Sequence, residues 1–171
     1  MRVYRFCAAI CFCLICSIFV SSSYAETVDD YWAFSADKVS ALESRWSDSE
    51  GAFMPYYGQI DTRVNANMLD LYSLAAAQGR SGIVRNDARA RRLVDLLTRA
   101  PAYVRSPKDF SGSGAGVAHY PGWTGNAGGS ARGEMHMSID PKVAGALADA
   151  WKARVQMGLT QSQSDRIVAC I

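Results

Sequence analysis

The chain has 171 residues, 49% of them hydrophobic and 20% charged, with 18 basic and 16 acidic side chains and a formal net charge of +2. That length suits a single domain. The small positive balance lies in the first residues: without Arg2 and Arg5 the count is 16 basic against 16 acidic, which excludes a global field for nucleic acid.

The N-terminus reads as a secretory signal peptide over residues 1–25. Arg2 and Arg5 form a short basic region, Phe6–Val20 is a run of 15 residues that is apolar except for Ser17, and Ser21–Ala25 supplies small residues for cleavage before Glu26. The run falls short of the roughly 18–20 residues that a spanning helix needs, so no stable membrane anchor is expected once it is removed. Of the five cysteines, Cys7, Cys11, Cys13 and Cys16 leave with the signal. Cys170 alone remains, and an intrachain disulfide is excluded.

Residues 26–171 then read as one helical domain. A first helix is expected from a cap at Asp29 or Asp30 to about Trp46, with Tyr31, Trp32, Val39, Leu42 and Trp46 near helical spacing. Ser47–Gly51 is expected to stop it, because glycine accepts positive φ. A connector containing Pro55 leads to the best-patterned stretch, Asp61–Arg92. Its first helix, capped by Asp61 or Thr62 and running to Gln78, carries Val64, Met68, Leu71, Tyr72 and Ala75 on one face. Gly79 is the expected stop.

After Arg80–Gly82 a third helix is expected from Ile83 or Asn86 to Arg99, ended by Pro101. So short a turn implies an antiparallel helical hairpin. Ala90, Leu93, Val94 and Leu97 share one arc of that helix. Arg85, Arg89, Arg92 and Arg99 share another, which reads as an outward stripe.

Residues 102–136 form an irregular loop, in which eight of the 14 glycines fall between Gly112 and Gly133. Tyr103, Phe110, Tyr120 and Trp123 argue against plain disorder. Asp140-Pro141 opens a fourth helix with Val143, Leu147, Ala150, Trp151 and Arg154 on one face, ending at Gly158. Thr160 caps a fifth helix containing Ile167 and Val168. Its abrupt end at Ile171 suggests the first portion of a longer architecture. No strand pair with turn chemistry is expected anywhere.

Four groups of residues are candidates for chemistry. His119, Glu134 and His136 could supply a zinc set, against an ordinary loop with two histidines; the spacing matches no metal signature, and no metal or cofactor is expected. His119, Tyr120 and Trp123 could form a platform for a sugar face, with Trp123 alternatively a plug that folds the loop onto the helices. The arginine stripe, with Arg80 and Arg105 flanking, suits carboxylate or sulfate and hence an anionic polysaccharide; the alternative is a solvated helix face. Finally, Arg63 lies outward with Asn67 and Asp70, while Asn65 intrudes on the apolar face. A partner in the neighbouring loop would make Asn65 a structural clamp; a ligand would make it a site.

The stretch Asp61-Thr62-Arg63-Val64-Asn65-Ala66-Asn67, with Ala75–Gly79, Arg85–Val94, His136–Val143 and Trp151–Arg154, resembles large secreted bacterial proteins of unassigned function. These are predicted to fold as α/α toroids like six-hairpin glycosidases and polysaccharide lyases. The resemblance implies an all-α chain of antiparallel helical hairpins, the first part of such a toroid, secreted or periplasmic and acting on or binding a polysaccharide. It transfers no catalytic residue. Arg63, Asn65, His119, Tyr120 and His136 are the catalytic candidates and Trp123 the ligand-binding candidate. A non-catalytic binding or scaffold module, or a truncated product without activity, is the alternative.

Overall fold

The computed structural model describes residues 27–55, 58–105, 121–125 and 139–171. These residues are mostly helical, with two very short strand pairs. Contacts divide the chain into one unit up to Phe34 and a second from Ser35 onward.

Helix α1 spans Val28–Leu42. Its start is set by Thr27 rather than by an aspartate cap. The Thr27 backbone N–H donates to the Asp30 carboxylate at 2.8 Å, and the Asp30 N–H donates to Thr27 Oγ1 at 3.1 Å. This reciprocal pair satisfies two donors that a helix start leaves open. The bond from the Thr27 backbone also holds the Asp30 carboxyl below its usual value.

The helix does not reach Trp46. It tightens into a 3₁₀ turn over Glu43–Arg45, and the chain then turns extended at Trp46. Trp46–Ser47 (β1) pairs antiparallel with Ala52–Phe53 (β2), Trp46 opposite Phe53. The stretch Ser47–Gly51 is thus a hairpin turn, not a helix stop. Its Gly51 has φ +67°, and its N–H donates to the Ser47 carbonyl at 2.8 Å. The Trp46 and Phe53 rings meet edge-on at 5.0 Å. Two residues per strand are too few to show alternation, so strand periodicity could not reveal this pair.

Helix α2 is Thr62–Ala77, with the Asp61 carboxylate accepting the Val64 N–H at 3.0 Å and Gly79 at φ +64° just past its end. Both limits follow the capping chemistry read from the sequence. Helix α3 is Asp87–Leu97, opened by the Asn86 side chain accepting the Arg89 N–H. Ala90, Leu93, Val94 and Leu97 are all fully buried, as their shared arc predicts.

Beyond the cis Ala100–Pro101 bond, Tyr103–Val104 (β3) pairs antiparallel with Gly122–Trp123 (β4). The start of the glycine-rich loop is thereby tied to a segment near its middle, a second strand pair that the sequence did not announce.

Helix α4, Asp140–Lys152, has Pro141 in its first turn but takes no cap from Asp140. That carboxylate instead accepts the Trp123 backbone N–H at 3.0 Å. The helix stops at Lys152, six residues before the expected Gly158, and a run of turns follows. Helix α5, Gln161–Cys170, opens with a full capping box between Thr160 and Gln163.

α2 packs mainly on α4 and next on α3, while α5 touches both α3 and α4. Phe53, Leu69, Tyr72, Leu93, Leu97, Leu147, Met157 and Ile167 fill the space between them, all within 1% of complete burial. Side chains of this size stabilise by about 1.5–3 kcal/mol each on burial. Among the described residues no helix is long and apolar enough to cross a membrane.

Candidate functional site

Three of the sequence candidates, His119, Tyr120 and His136, lie outside the described residues, as does Glu134. The other three separate. Arg63 is exposed on the first turn of α2. Asn65 is completely buried. Its Oδ1 accepts the Phe53 N–H at 2.8 Å, and its Nδ2 donates to the Phe53 carbonyl at 2.9 Å and to the Asp61 carbonyl at 2.8 Å. A buried amide must find partners, and this one finds them in the backbone of β2 and of its own helix start. Asn65 is the clamp that joins the hairpin to α2, with no atom facing solvent.

Trp123 is 4% exposed. Its indole N–H donates to the Leu97 carbonyl at 2.7 Å, an acceptor at the C-terminal end of α3, and its ring stacks at a tilt on Tyr103 at 4.9 Å. An open sugar platform needs an exposed ring face. Trp123 instead occupies the plug position, closing β3–β4 onto α3.

Two members of the arginine stripe, Arg85 and Arg89, depart from a solvated face, while the side chains of Arg92 and Arg99 stay exposed. Arg89 pairs with Glu43 and lies over the Trp46 ring at 4.7 Å and the Phe53 ring at 5.6 Å. Arg92 reaches both the backbone carbonyl and the side chain of Asp48. Arg85 pairs with Asp87 at 3.0 Å and donates to the Gln156 carbonyl, and Arg91 donates to the Met157 carbonyl at 2.9 Å. These planar donors span the hairpin on one flank and the turn after α4 on the other. Arg85 and Arg89 are therefore engaged inside the protein.

Another part of that helix builds a groove. Ala88, Arg91, Arg92, Asp95 and Arg99 line one wall, and Thr160, Ser162, Gln163 and Arg166 from the start of α5 line the other, around about 550 Å³. A second lobe of about 390 Å³ shares Arg99 and Arg166 and adds Thr98, Tyr103 and Arg105. Arg91, Arg99 and Arg166 thus share the first lobe with the Asp95 carboxylate, Arg105 lines the second, and Arg92 is paired with Asp48. Arg166 pairs with Asp95 and donates to Ser162 at 2.9 Å and to Thr98 at 3.2 Å. The N-terminal end of α5 adds its partial positive charge and the Thr160 and Ser162 hydroxyls.

Spacing explains the wall: 88, 91, 92 and 95 are the i, i+3, i+4 and i+7 positions of one helix face, and Arg99 follows two residues past the end of that helix. Arg91 and Arg166 were missed as site residues. Arg91 falls off the stripe at 85, 89, 92 and 99, and nothing in the sequence says that α5 lies beside α3. Among the described residues no group of three or more His, Cys, Asp or Glu side chains is placed to hold a metal ion. At the groove's end, burial pushes the Tyr103 hydroxyl and the Cys170 thiol above their ordinary values, which leaves both in their neutral forms.

Comparison of the chain with protein-family models, with curated proteins and with solved structures finds no match.

Proposed function

We propose that the protein is a secreted helical module that binds an acidic polysaccharide along the groove between α3 and α5. The observation that carries this reading is the run of Arg91, Arg99, Arg105 and Arg166 along two adjoining lobes whose lining holds one acid, Asp95, with Arg92 beside them paired to Asp48. Basic and acidic residues balance over residues 26–171, so the groove's excess is local. Guanidinium groups bind carboxylate or sulfate through paired N–H donors. An open groove rather than a closed cavity suits a chain passing through, and Thr160 and Ser162 can hydrogen-bond sugar hydroxyls. The signal-like first 25 residues support export to where such polymers occur.

The same reading takes the helices as the first part of an α/α toroid of antiparallel hairpins. It is supported by the way α2 packs on both α3 and α4, although the connection from α2 to α3 runs over residues 78–86 with a 3₁₀ turn at Gly82–Val84 rather than over Arg80–Gly82 alone.

Titration of the purified protein with polygalacturonate, with dextran as the neutral control, tests the proposal. Saturable binding to polygalacturonate that weakens as salt rises, and that falls in Arg99→Gln/Arg105→Gln without loss of the melting transition, is expected. Equal binding to dextran, or unchanged binding in the double variant, would refute it. Following ultraviolet absorbance during the same titration separates binding alone from elimination, which leaves unsaturated ends.

A further inference from the structure

Asp95 is the one carboxylate among the groove-lining residues, and it stands in the middle of the charge. Its Oδ1 bonds to Arg166 and lies 3.9 Å from the Arg99 guanidinium, while Oδ2 accepts from Gln163 Nε2 at 3.2 Å. Arg99 and Arg166 are the two cations shared by both lobes. Asp95 therefore neutralises the junction. It leaves Arg91, which donates to the neutral Met157 carbonyl, as the positive end of one lobe and Arg105 as the positive end of the other, Arg92 being paired with Asp48. The Asp95 side chain is 39% exposed, so it faces whatever lies in the groove.

We infer that Asp95 is a specificity-determining residue, and that it selects a glycan whose acid groups are spaced, about one per sugar ring. This inference rests on the groove being the polysaccharide site. A ligand anion placed over Asp95 meets a like charge in partly excluded solvent, whereas a sugar hydroxyl can donate to it. A chain with acids separated by hydroxyl-bearing ring positions sets its charges against Arg91 on one side and Arg105 on the other, with hydroxyls between. A densely charged polyanion cannot avoid the junction. Rejecting the wrong ligand with a placed repulsive charge is a general route to specificity.

Affinities for polygalacturonate, with one carboxylate per ring, and for heparin, with several charges per disaccharide, should be measured at fixed ionic strength for the wild type and Asp95→Asn. The variant keeps the acceptor for Arg166 but removes the charge. Heparin affinity should rise about tenfold in Asp95→Asn, the scale of one like-charge contact near a protein surface, while polygalacturonate affinity stays within about threefold. An equal gain for both ligands, or a gain for neither, would overturn the inference and leave the groove as the binding site. A wild type that binds neither acid would overturn the groove itself. Should Asp95→Asn fail to fold, stepwise desulfation of heparin gives the answer on the wild type alone. Affinity should increase as charge falls toward one acid per ring, and a steady decrease would overturn the selection.

Discussion

Asn65 and Phe53 pair as though they were neighbours in a sheet. The Phe53 N–H enters the Asn65 carbonyl oxygen, and the Phe53 carbonyl receives the Asn65 amide, at 2.8 and 2.9 Å. The amide thus closes the backbone edge of a two-residue strand and anchors it to the first turn of α2.

Replacing Asn65 by Ala strands two buried backbone groups, the N–H and the carbonyl of Phe53, while the Asp61 carbonyl keeps the Asn65 backbone N–H. Each orphaned buried group costs about 1–3 kcal/mol. Asn65→Ala should therefore lower stability by about 2 kcal/mol or more, read as a large drop in melting temperature. Asn65→Asp should be no better, since it removes the donor and buries a charge. A melting temperature unchanged in both variants would contradict the clamp.

Trp123→Phe removes the indole donor to Leu97 while keeping most of the ring volume. A loss of about 1–2 kcal/mol is expected from the orphaned carbonyl and the smaller ring. Polysaccharide affinity of the folded variant should not change. A selective loss of affinity with intact stability would return Trp123 to the role of a sugar platform.

Asp70 on α2 faces Asp149 on α4, and burial together with the Asp149 carboxylate raises the Asp70 pKa above its ordinary 3.8, with Lys152 opposing. A raised folded-state value means a contribution to stability that is complete below pH 3.8 and lost as pH rises through the raised value. Asp70→Asn should hence raise the melting temperature at pH 7, and the gain should vanish in acid. Lys152 bonds to Asp149 at 2.7 Å, so that ion pair remains in the variant. An Asp70→Asn effect that is flat with pH would show that the two carboxyls do not interact.

Gly51 and Gly79 have nearly the same left-handed backbone, φ +67° and +64°, but different surroundings. A Cβ on Gly51 would meet Arg92 Nε at 2.7 Å, whereas one on Gly79 meets nothing within 4 Å. Gly79→Ala should cost only the left-handed strain of about 1–2 kcal/mol. Gly51→Ala should cost more, because it also pushes Arg92 off Asp48 and loosens the hairpin. Chemical denaturation of the two variants side by side checks the order.

Local chemistry explains which parts of this fold could be read in advance. Asp61, Gly79, Asn86, Thr160 and Pro141 act within a few residues of themselves, so helix limits near them were legible. The arc Ala90, Leu93, Val94 and Leu97 was legible because a helix turns by a fixed angle. Asp140 was not, since its carboxylate turns to the backbone of Trp123, 17 residues away. The end of α1 was missed because Trp46 keeps helical spacing while its ring is held by Phe53 across a turn. Which arginines of the stripe stay solvated is not legible, because a guanidinium is charged in any setting, and sequence does not say whether Glu43, Asp48 or water faces it.

The sequence by itself determined the predominantly helical class, most of the helix starts and the question posed by Asn65. An amide on an apolar face must be answered somewhere. Tertiary structure alone decided the answer, Phe53, and it alone brought Arg166 beside Arg91, Arg92 and Arg99 to make a groove around Asp95. Capping and periodicity are properties of adjacent residues. A groove is a property of two helices 60 residues or more apart in the chain, set only when both bury their apolar faces in one core.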